Sequence, residues 1–125
     1  MHSESYQIGE KERWSINRAK ADGRRVICVG TTSLRSLESA AVRDHTGVWN
    51  IPEKNASGET DIFIYPGSRD GFLTDCLITN FHLPKSTLFM LVSAFYGREK
   101  MLMVYNEAIK KRYRFFSYGD AILIV

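Results

Sequence analysis

The sequence predicts an α/β fold, with a mixed sheet flanked by helices, from two observations. Short apolar runs rich in β-branched residues alternate with longer segments of helical period along the 125 residues. The predicted elements follow the order α-β-α-loop-β-β-α-α-β, which indicates a mixed sheet rather than a purely parallel one. The 44% apolar content lies in the globular range, and this length suits one domain with a modest core.

The first third of the chain is predicted to contain two helices around one strand. Glu10–Asp22 has few apolar positions, so we expect an outer helix that ends at Gly23. Arg25–Val29 is typical of a buried strand, which Gly30 ends. A second helix then runs to about Arg43, since apolar residues recur at helical spacing and Thr32 or Ser33 can cap it.

The middle of the chain is predicted to form a surface excursion followed by two strands. Asp44–Thr60 is rich in turn formers and has no sustained period, so we expect a surface loop. Asp61–Tyr65 reads as a strand because it is apolar and ends at Pro66-Gly67, a common turn pair. Cys76–Thr79 is predicted to be a further strand.

The last third is predicted to contain two helices and a final strand. Thr87–Tyr96 is apolar almost all round, which favours a helix buried on every side. Arg98–Arg112 groups its apolar residues on one face, with charged residues elsewhere. Ala121–Val125 is a continuous apolar run and is expected to be a buried strand.

Composition narrows the class of protein only modestly. The net charge of +3 is mildly basic, short of what would by itself indicate nucleic-acid binding. Cys28 and Cys76 lie in apolar runs without a CxxC pair, so we expect buried reduced thiols, no metal and a cytoplasmic protein. The N-terminus lacks a signal peptide, and the longest apolar run, Leu88–Tyr96, is too short to span a bilayer, so no membrane association is expected.

The first candidate site is the loop Gly30–Ser33 between a strand and a helix. Open α/β sheets bind ligands at the carboxyl ends of their strands, where helix N-termini present free N–H groups. Gly30 allows close backbone approach, and Thr31, Thr32 and Ser33 add hydroxyls suited to a carboxylate, ribose or phosphate. The alternative is ordinary helix capping, and neither a Walker A motif nor a GxGxxG pattern is present.

Arg35 follows in the first turns of the same predicted helix. It could bind a substrate carboxylate or phosphate. It could equally pair with Glu38 at spacing i,i+3 on the surface, and that pairing is the expectation we favour.

The second candidate site is the junction Asn80–Pro84 after a predicted strand. His82 could act as general acid or base near neutral pH, although a histidine that only satisfies loop carbonyls is the commoner case. Asn80 could order the loop or bind a polar edge of a ligand.

The third candidate site lies near the C-terminus, where basic residues interleave with aromatics. Such a pattern suits single-stranded nucleic acid, through phosphate attraction and base stacking. The aromatics could equally be core, which we favour for them taken alone. The segment contains Lys110, Lys111, Arg112, Arg114 and Tyr118.

Three longer segments resemble one enzyme family in the same order. They are GTTSLRSLES (30–39), TNFHLPKSTLFMLVSAF (79–95) and YRFFSYGDA (113–121). With shorter matches at 1–4, 63–67 and 74–78, the chain is identified as similar to the C-terminal part of the S-adenosylmethionine:tRNA ribosyltransferase-isomerases of queuosine biosynthesis. The match is weakest in 7–18 and 44–60.

The resemblance implies a specific reaction and two substrates. The ribosyl part of S-adenosylmethionine would be moved onto the aminomethyl group of 7-aminomethyl-7-deazaguanine in tRNA and isomerised, which gives epoxyqueuosine. It implies that S-adenosylmethionine is consumed as a substrate and that no metal is needed. At the matched positions, Gly30–Ser33 and Arg35 would hold S-adenosylmethionine, Asn80 and His82 would face the reacting ribosyl, and the basic C-terminal segment would approach tRNA.

Family members are much longer, so the resemblance covers about their final third. We therefore expect residues 1–125 to form a single partial domain, the C-terminal part of a larger, barrel-like α/β domain. The part alone is expected to be inactive and to self-associate through an apolar sheet edge, whereas the full-length enzyme is expected to be monomeric. The alternatives are a non-catalytic RNA-binding module and an inactive truncation product.

Overall fold

A three-stranded mixed sheet is the part of the fold that positions the candidate site. The computed structural model describes residues 3–125. Within them the helices are α1 (Glu10–Ala21), α2 (Thr31–Ala40), α3 (Thr87–Tyr96) and α4 (Arg98–Lys110). The strands are β1 (Glu4–Gln7), β2 (Ile27–Val29), β3 (Val42–Arg43), β4 (Trp49–Asn50), β5 (Ser57–Thr60), β6 (Cys76–Asn80) and β7 (Ala121–Ile124). The predicted mixed α/β class is confirmed.

The main sheet has the order β2-β6-β7. Strand β2 runs parallel to β6, with Ile27 opposite Cys76 and Val29 opposite Ile78. Strand β7 is antiparallel to β6, with Ala121 opposite Asn80. Two separate antiparallel pairs, β1 with β5 and β3 with β4, lie outside this sheet.

Only one face of the main sheet is covered, because side chains alternate between the two faces of a strand. Cys28 and Ile124 are buried in the core with residues of α2, α3 and α4. Val29 is 67% exposed and Leu123 is 57% exposed. The expectation of fully buried strands at 25–29 and 121–125 is therefore wrong: both strands bury one face and leave an apolar face open.

The two ends of α3 have identifiable causes. The Ser86 hydroxyl accepts a hydrogen bond from the Phe89 N–H at 3.0 Å and so caps the start of the helix. Gly97, with φ of 116°, ends α3 and begins α4. The apolar side chains of α3 and α4 pack on the sheet, but Met90 and Tyr96 remain exposed, so α3 is not buried on every side as predicted.

The segment 44–60 is more ordered than the predicted surface loop. It contains β4, β5 and a short 3₁₀ helix at Glu53–Asn55, and Ile51 is fully buried. Ile51 belongs to a second core cluster, against which Ile16 and Ala19 of α1 pack. Strand β5 pairs with the unpredicted β1, a partner at least fifty residues earlier that local pattern does not reveal.

Further elements differ from the predictions, among them α2, which ends at Ala40 instead of about Arg43. Residues 61–65 are not a strand: Ile64 is buried, but the segment pairs with no other strand among residues 3–125. Helix α2 begins at Thr31 after Gly30, with no side-chain capping bond, so Thr32 or Ser33 as the cap is wrong. Helix α4 ends at Lys110 instead of Arg112. Helix α1 has no buried residue, which confirms its outer position.

Both cysteines are free and buried, as predicted. Burial raises the pKa of the Cys28 thiol, which lies 3.3 Å from the Thr74 hydroxyl. Within residues 3–125, no helix is both long and apolar enough to cross a bilayer.

Candidate active site

The carboxyl ends of β2 and β6 bring two predicted site residues together. Gly30 follows β2 directly, and its N–H donates to the carbonyl of Ile78 at 2.7 Å. Gly30 and Asn80 line one shallow cleft of about 200 Å³. Parallel pairing of β2 with β6 produces this arrangement, since it places both strand ends at the same edge of the sheet.

Gly30 is required by its backbone conformation. Its φ of 92° and ψ of 149° lie in a region that essentially only glycine occupies. A Cβ at this position would meet no heavy atom within 4 Å, so the space beside it is open. Helix α2 begins directly after Gly30, at the edge of the cleft, and no side chain caps its N-terminus.

Thr32 and Ser33 are exposed and line a second groove on the other side of the helix start. This groove, of about 690 Å³, lies between β1, α1 and α2, and Ser5, Ser36 and Glu12 also border it. The two cavities do not share a lining residue. The predicted loop Gly30–Ser33 thus borders two grooves.

Arg35 and Glu38 are both buried and do not form the predicted surface pair. The Nη1 of Arg35 donates to Glu4 at 3.1 Å, and its Nε and Nη2 have no partner among residues 3–125. Glu38 accepts from the backbone N–H groups of Leu73 and Thr74 at 3.0 and 2.8 Å and pairs with Arg69 at 2.9 Å. The pairing expectation fails because both side chains point inward from α2, where each finds a different partner.

His82 is half-buried and held at two points. Its ring Nε2 lies 3.1 Å from the Thr79 hydroxyl, and its backbone N–H donates to the Tyr105 hydroxyl at 3.0 Å. Burial lowers the pKa of His82 below the ordinary value of 6.5. The imidazole is therefore neutral at pH 7, the form that accepts a proton.

Asn80 connects β6 to the turn before β7. Its side-chain amide donates to the carbonyl of Asp120 at 3.2 Å. The Asp120 carboxylate accepts from the backbone N–H of Arg114 at 2.6 Å, so this turn is braced by side chains. One edge of Asn80 is thereby occupied, and the residue orders the rim of the cleft.

The basic residues of the third predicted site are exposed and lie at the end of α4 and just after it. They are Lys110, Lys111, Arg112, Arg114 and Tyr118. Lys111 pairs with Glu107 at 3.3 Å, and Tyr118 is 99% exposed. The neighbouring aromatics divide: Phe115 stacks on Phe81 with centroids 5.1 Å apart, whereas Phe116 is exposed.

Two partners of His82 were not predicted from the sequence. Thr79 lies three residues before it, a spacing that indicates local contact but not a ring hydrogen bond. Tyr105 lies on the apolar face of α4, and its hydroxyl was the only sign in the sequence that this face makes a polar contact. In the described part of the chain, no cluster of three His, Cys, Asp or Glu residues could hold a metal ion.

Comparison with known proteins now identifies the family. A family model described as queuosine biosynthesis protein matches residues 1–124. The chain belongs to this family. An S-adenosylmethionine:tRNA ribosyltransferase-isomerase of Clostridioides difficile is 56% identical over 99% of the chain, which covers 34% of that relative. One of Heliobacterium modesticaldum is also 56% identical, over the whole chain and 35% of that relative.

A solved structure shows the same fold in the family. The crystal structure of an S-adenosylmethionine tRNA ribosyltransferase from Thermotoga maritima matches with a TM-score of 0.82 and 44% identity. The match covers 97% of this chain and 40% of that one. The chain thus spans about a third of the length of the curated family members it matches, and the expected resemblance to part of a longer enzyme is confirmed.

Proposed function

We propose that this chain supplies part of the active site of an S-adenosylmethionine:tRNA ribosyltransferase-isomerase acting in the cytoplasm. In this reaction the ribosyl unit of S-adenosylmethionine moves to the aminomethyl group of 7-aminomethyl-7-deazaguanine in tRNA. It is then isomerised to an epoxycyclopentane, and adenine and methionine leave. The names of the relatives support this class of activity.

The observation that carries the proposal is the grouping at the ends of β2 and β6. Gly30 and Asn80 border one cleft, and His82, in the loop that follows β6, does not line that cleft but contacts the Thr79 hydroxyl through its ring. Such a reaction needs a base beside the sulfonium and a polar surface for the ribosyl hydroxyls. We assign the base to His82 and the polar surface to Asn80.

The loop Gly30–Ser33 is proposed to hold the polar parts of S-adenosylmethionine. Its uncapped backbone N–H groups suit the methionine carboxylate, and the hydroxyls of Thr31, Thr32 and Ser33 add further hydrogen-bond donors for that group. Arg35 has two unpaired nitrogens within the described chain, but it is buried. Direct contact between Arg35 and substrate therefore requires its surroundings to rearrange.

A chimera tests the proposal, since the chain corresponds to only part of the relatives. We would replace the matching third of the Clostridioides difficile enzyme with this chain and measure adenine release from S-adenosylmethionine with tRNA. His82→Ala should reduce turnover at least about a hundredfold, the usual contribution of a general base. His45→Ala, which changes an exposed histidine on a turn, is the control. Near-normal turnover of His82→Ala would sink the assignment.

A non-catalytic RNA-binding role is the second candidate, favoured by the exposed basic segment 110–118. We propose that Lys110, Lys111, Arg112, Arg114 and Tyr118 approach tRNA in either case. Calorimetry with S-adenosylmethionine separates the two roles: tRNA binding without any heat from S-adenosylmethionine would favour the second. If the chimera releases adenine and the chain alone does not, the chain is an inactive part of a competent enzyme.

The chain alone is also proposed to self-associate through the open face of its main sheet. Ile27, Val29 and Leu123 are more than half exposed on this face. Exposed contiguous apolar surface of this kind favours contact with another protein surface.

A further inference from the structure

A groove separate from the cleft at Gly30 runs between the segment 63–66 and helix α3. It encloses about 470 Å³ and shares no lining residue with that cleft. The residues that carry its chemistry are Phe63, Tyr65, Lys85, Met90, Ser93 and Arg98. This volume lies in the range of small-ligand pockets.

The walls of the groove offer flat apolar surface to a planar group. The rings of Phe63 and Tyr65 are 43% and 45% exposed, with centroids 5.2 Å apart and planes tilted by 39°. Met90, on α3, is also exposed. The two rings belong to a segment that pairs with no strand among residues 3–125, and each keeps more than two fifths of its surface exposed.

The buried end of the groove holds a polar group without a partner. Ser93 is 2% exposed, and its hydroxyl forms no hydrogen bond within residues 3–125. A buried hydroxyl without a partner is unfavourable, and most such groups in native structures are satisfied. A ligand with a hydrogen-bonding edge would satisfy this one.

The rim of the groove is positively charged. Lys85 and Arg98 are exposed, and neither forms an ion pair within the described chain. No acidic side chain lines the groove. A ligand that places negative charge at the rim is therefore favoured.

We propose that this groove binds one unstacked nucleotide of single-stranded RNA. Its base packs on Phe63 and Tyr65, an edge of the base hydrogen-bonds to Ser93, and the adjoining phosphates lie near Lys85 and Arg98. Aromatic stacking beside cations is how proteins bind single-stranded RNA. The inference deepens the tRNA-binding part of the proposed function and rests on it.

The charges favour RNA over a free nucleoside as the source of the base. A free adenosine derivative with a sulfonium, such as S-adenosylmethionine, adds a positive charge near two cations, whereas RNA adds phosphates.

The test uses the chain itself and a fluorescein-labelled single-stranded RNA pentamer, with binding measured by anisotropy at low salt. Tyr65→Leu should weaken binding about tenfold, because stacking on an aromatic ring is lost. Lys85→Gln should weaken it less and should also reduce its dependence on salt. Ser93→Ala should weaken binding and yet raise the Tm of the free protein, because the unpaired hydroxyl is removed.

Matched controls lie on α1. Trp14→Leu changes another exposed aromatic, with Arg18 over its ring, and Lys11→Gln changes another exposed lysine; both should bind as the original chain does. With a pentamer in which every nucleotide is abasic, Tyr65→Leu should bind as strongly as the original chain does, because no base is left to stack on the ring.

Three results would overturn the inference. In the first, the chain does not bind the pentamer. In the second, the control variants weaken binding as much as the groove variants do. In the third, S-adenosylmethionine displaces the pentamer from the original chain but not from Tyr65→Leu, Lys85→Gln or Ser93→Ala. Failure of the chimera to release adenine would count against the proposed catalysis without touching this result, because the pentamer assay needs no turnover.

Discussion

The ring Nε2 of His82 lies 3.1 Å from the hydroxyl of Thr79, the residue three positions earlier near the end of β6. Thr79 is itself buried, so the contact joins the loop to the sheet. The backbone N–H of His82 is held separately by Tyr105 of α4. Thr79 of the sheet thus orients the imidazole, and Tyr105 of α4 holds the backbone of the loop.

Removal of the Thr79 hydroxyl should reduce activity without unfolding the chain. In the chimera, Thr79→Val should lower adenine release about tenfold, because the ring loses the partner that orients it. The effect should appear in kcat more than in KM. Thr87→Val, which changes an exposed threonine at the start of α3, is the matched control. Equal rates for the two variants would contradict an orienting role.

The pKa of His82 predicts a pH dependence of stability. Burial depresses this pKa below 6.5, so the unfolded chain takes up the proton more readily than the folded one. The contribution of His82 to stability is therefore present above about pH 6.5 and is lost as the pH falls through the folded-state pKa.

Urea unfolding at pH 7.5 and at pH 5 measures this contribution. His82→Gln should lose less stability between the two values than the original chain does, since glutamine does not titrate. His45→Gln, on an exposed turn, should behave as the original chain. If His82→Gln and the original chain lose the same amount, the burial argument fails.

Glu38 is expected to be important for stability rather than for binding. Its carboxylate is fully buried and accepts from two backbone N–H groups, the Thr74 hydroxyl and Arg69. Glu38→Gln should reduce the free energy of unfolding by about 3 kcal/mol, as expected when one member of a buried charged network is lost. Chemical denaturation measures it, with exposed Glu59→Gln as control. A loss below that of the control would refute the role.

The open face of the main sheet should drive association of the chain. Val29→Thr combined with Leu123→Thr places a β-branched residue suited to a strand at both positions and removes exposed apolar surface. Sedimentation velocity should then show a shift toward monomer. Met103→Thr, which removes an equally exposed apolar residue from α4, should leave the association as it is. A monomer at every concentration of the unaltered chain would rule the prediction out.

Local pattern alone predicted the α/β class, the four helices and the three strands of the main sheet. The spacing of apolar residues and the glycines at 23, 30 and 97 determine helices, strands and their ends over a few residues, so the sequence reveals these elements directly. The family resemblance was also carried by the sequence, through three long segments in order. The predicted site residues Gly30 and Asn80 were each recognisable as polar or flexible positions after a strand.

Only the tertiary structure decided which residues meet. It paired β1 with β5, left 61–65 without a strand partner, and turned Arg35 and Glu38 inward to Glu4 and Arg69. It also left one face of β2 and β7 open and placed Ser93 at the end of a groove. These outcomes depend on contacts between residues far apart in the chain, and no local period encodes which surface will cover a strand or a charge.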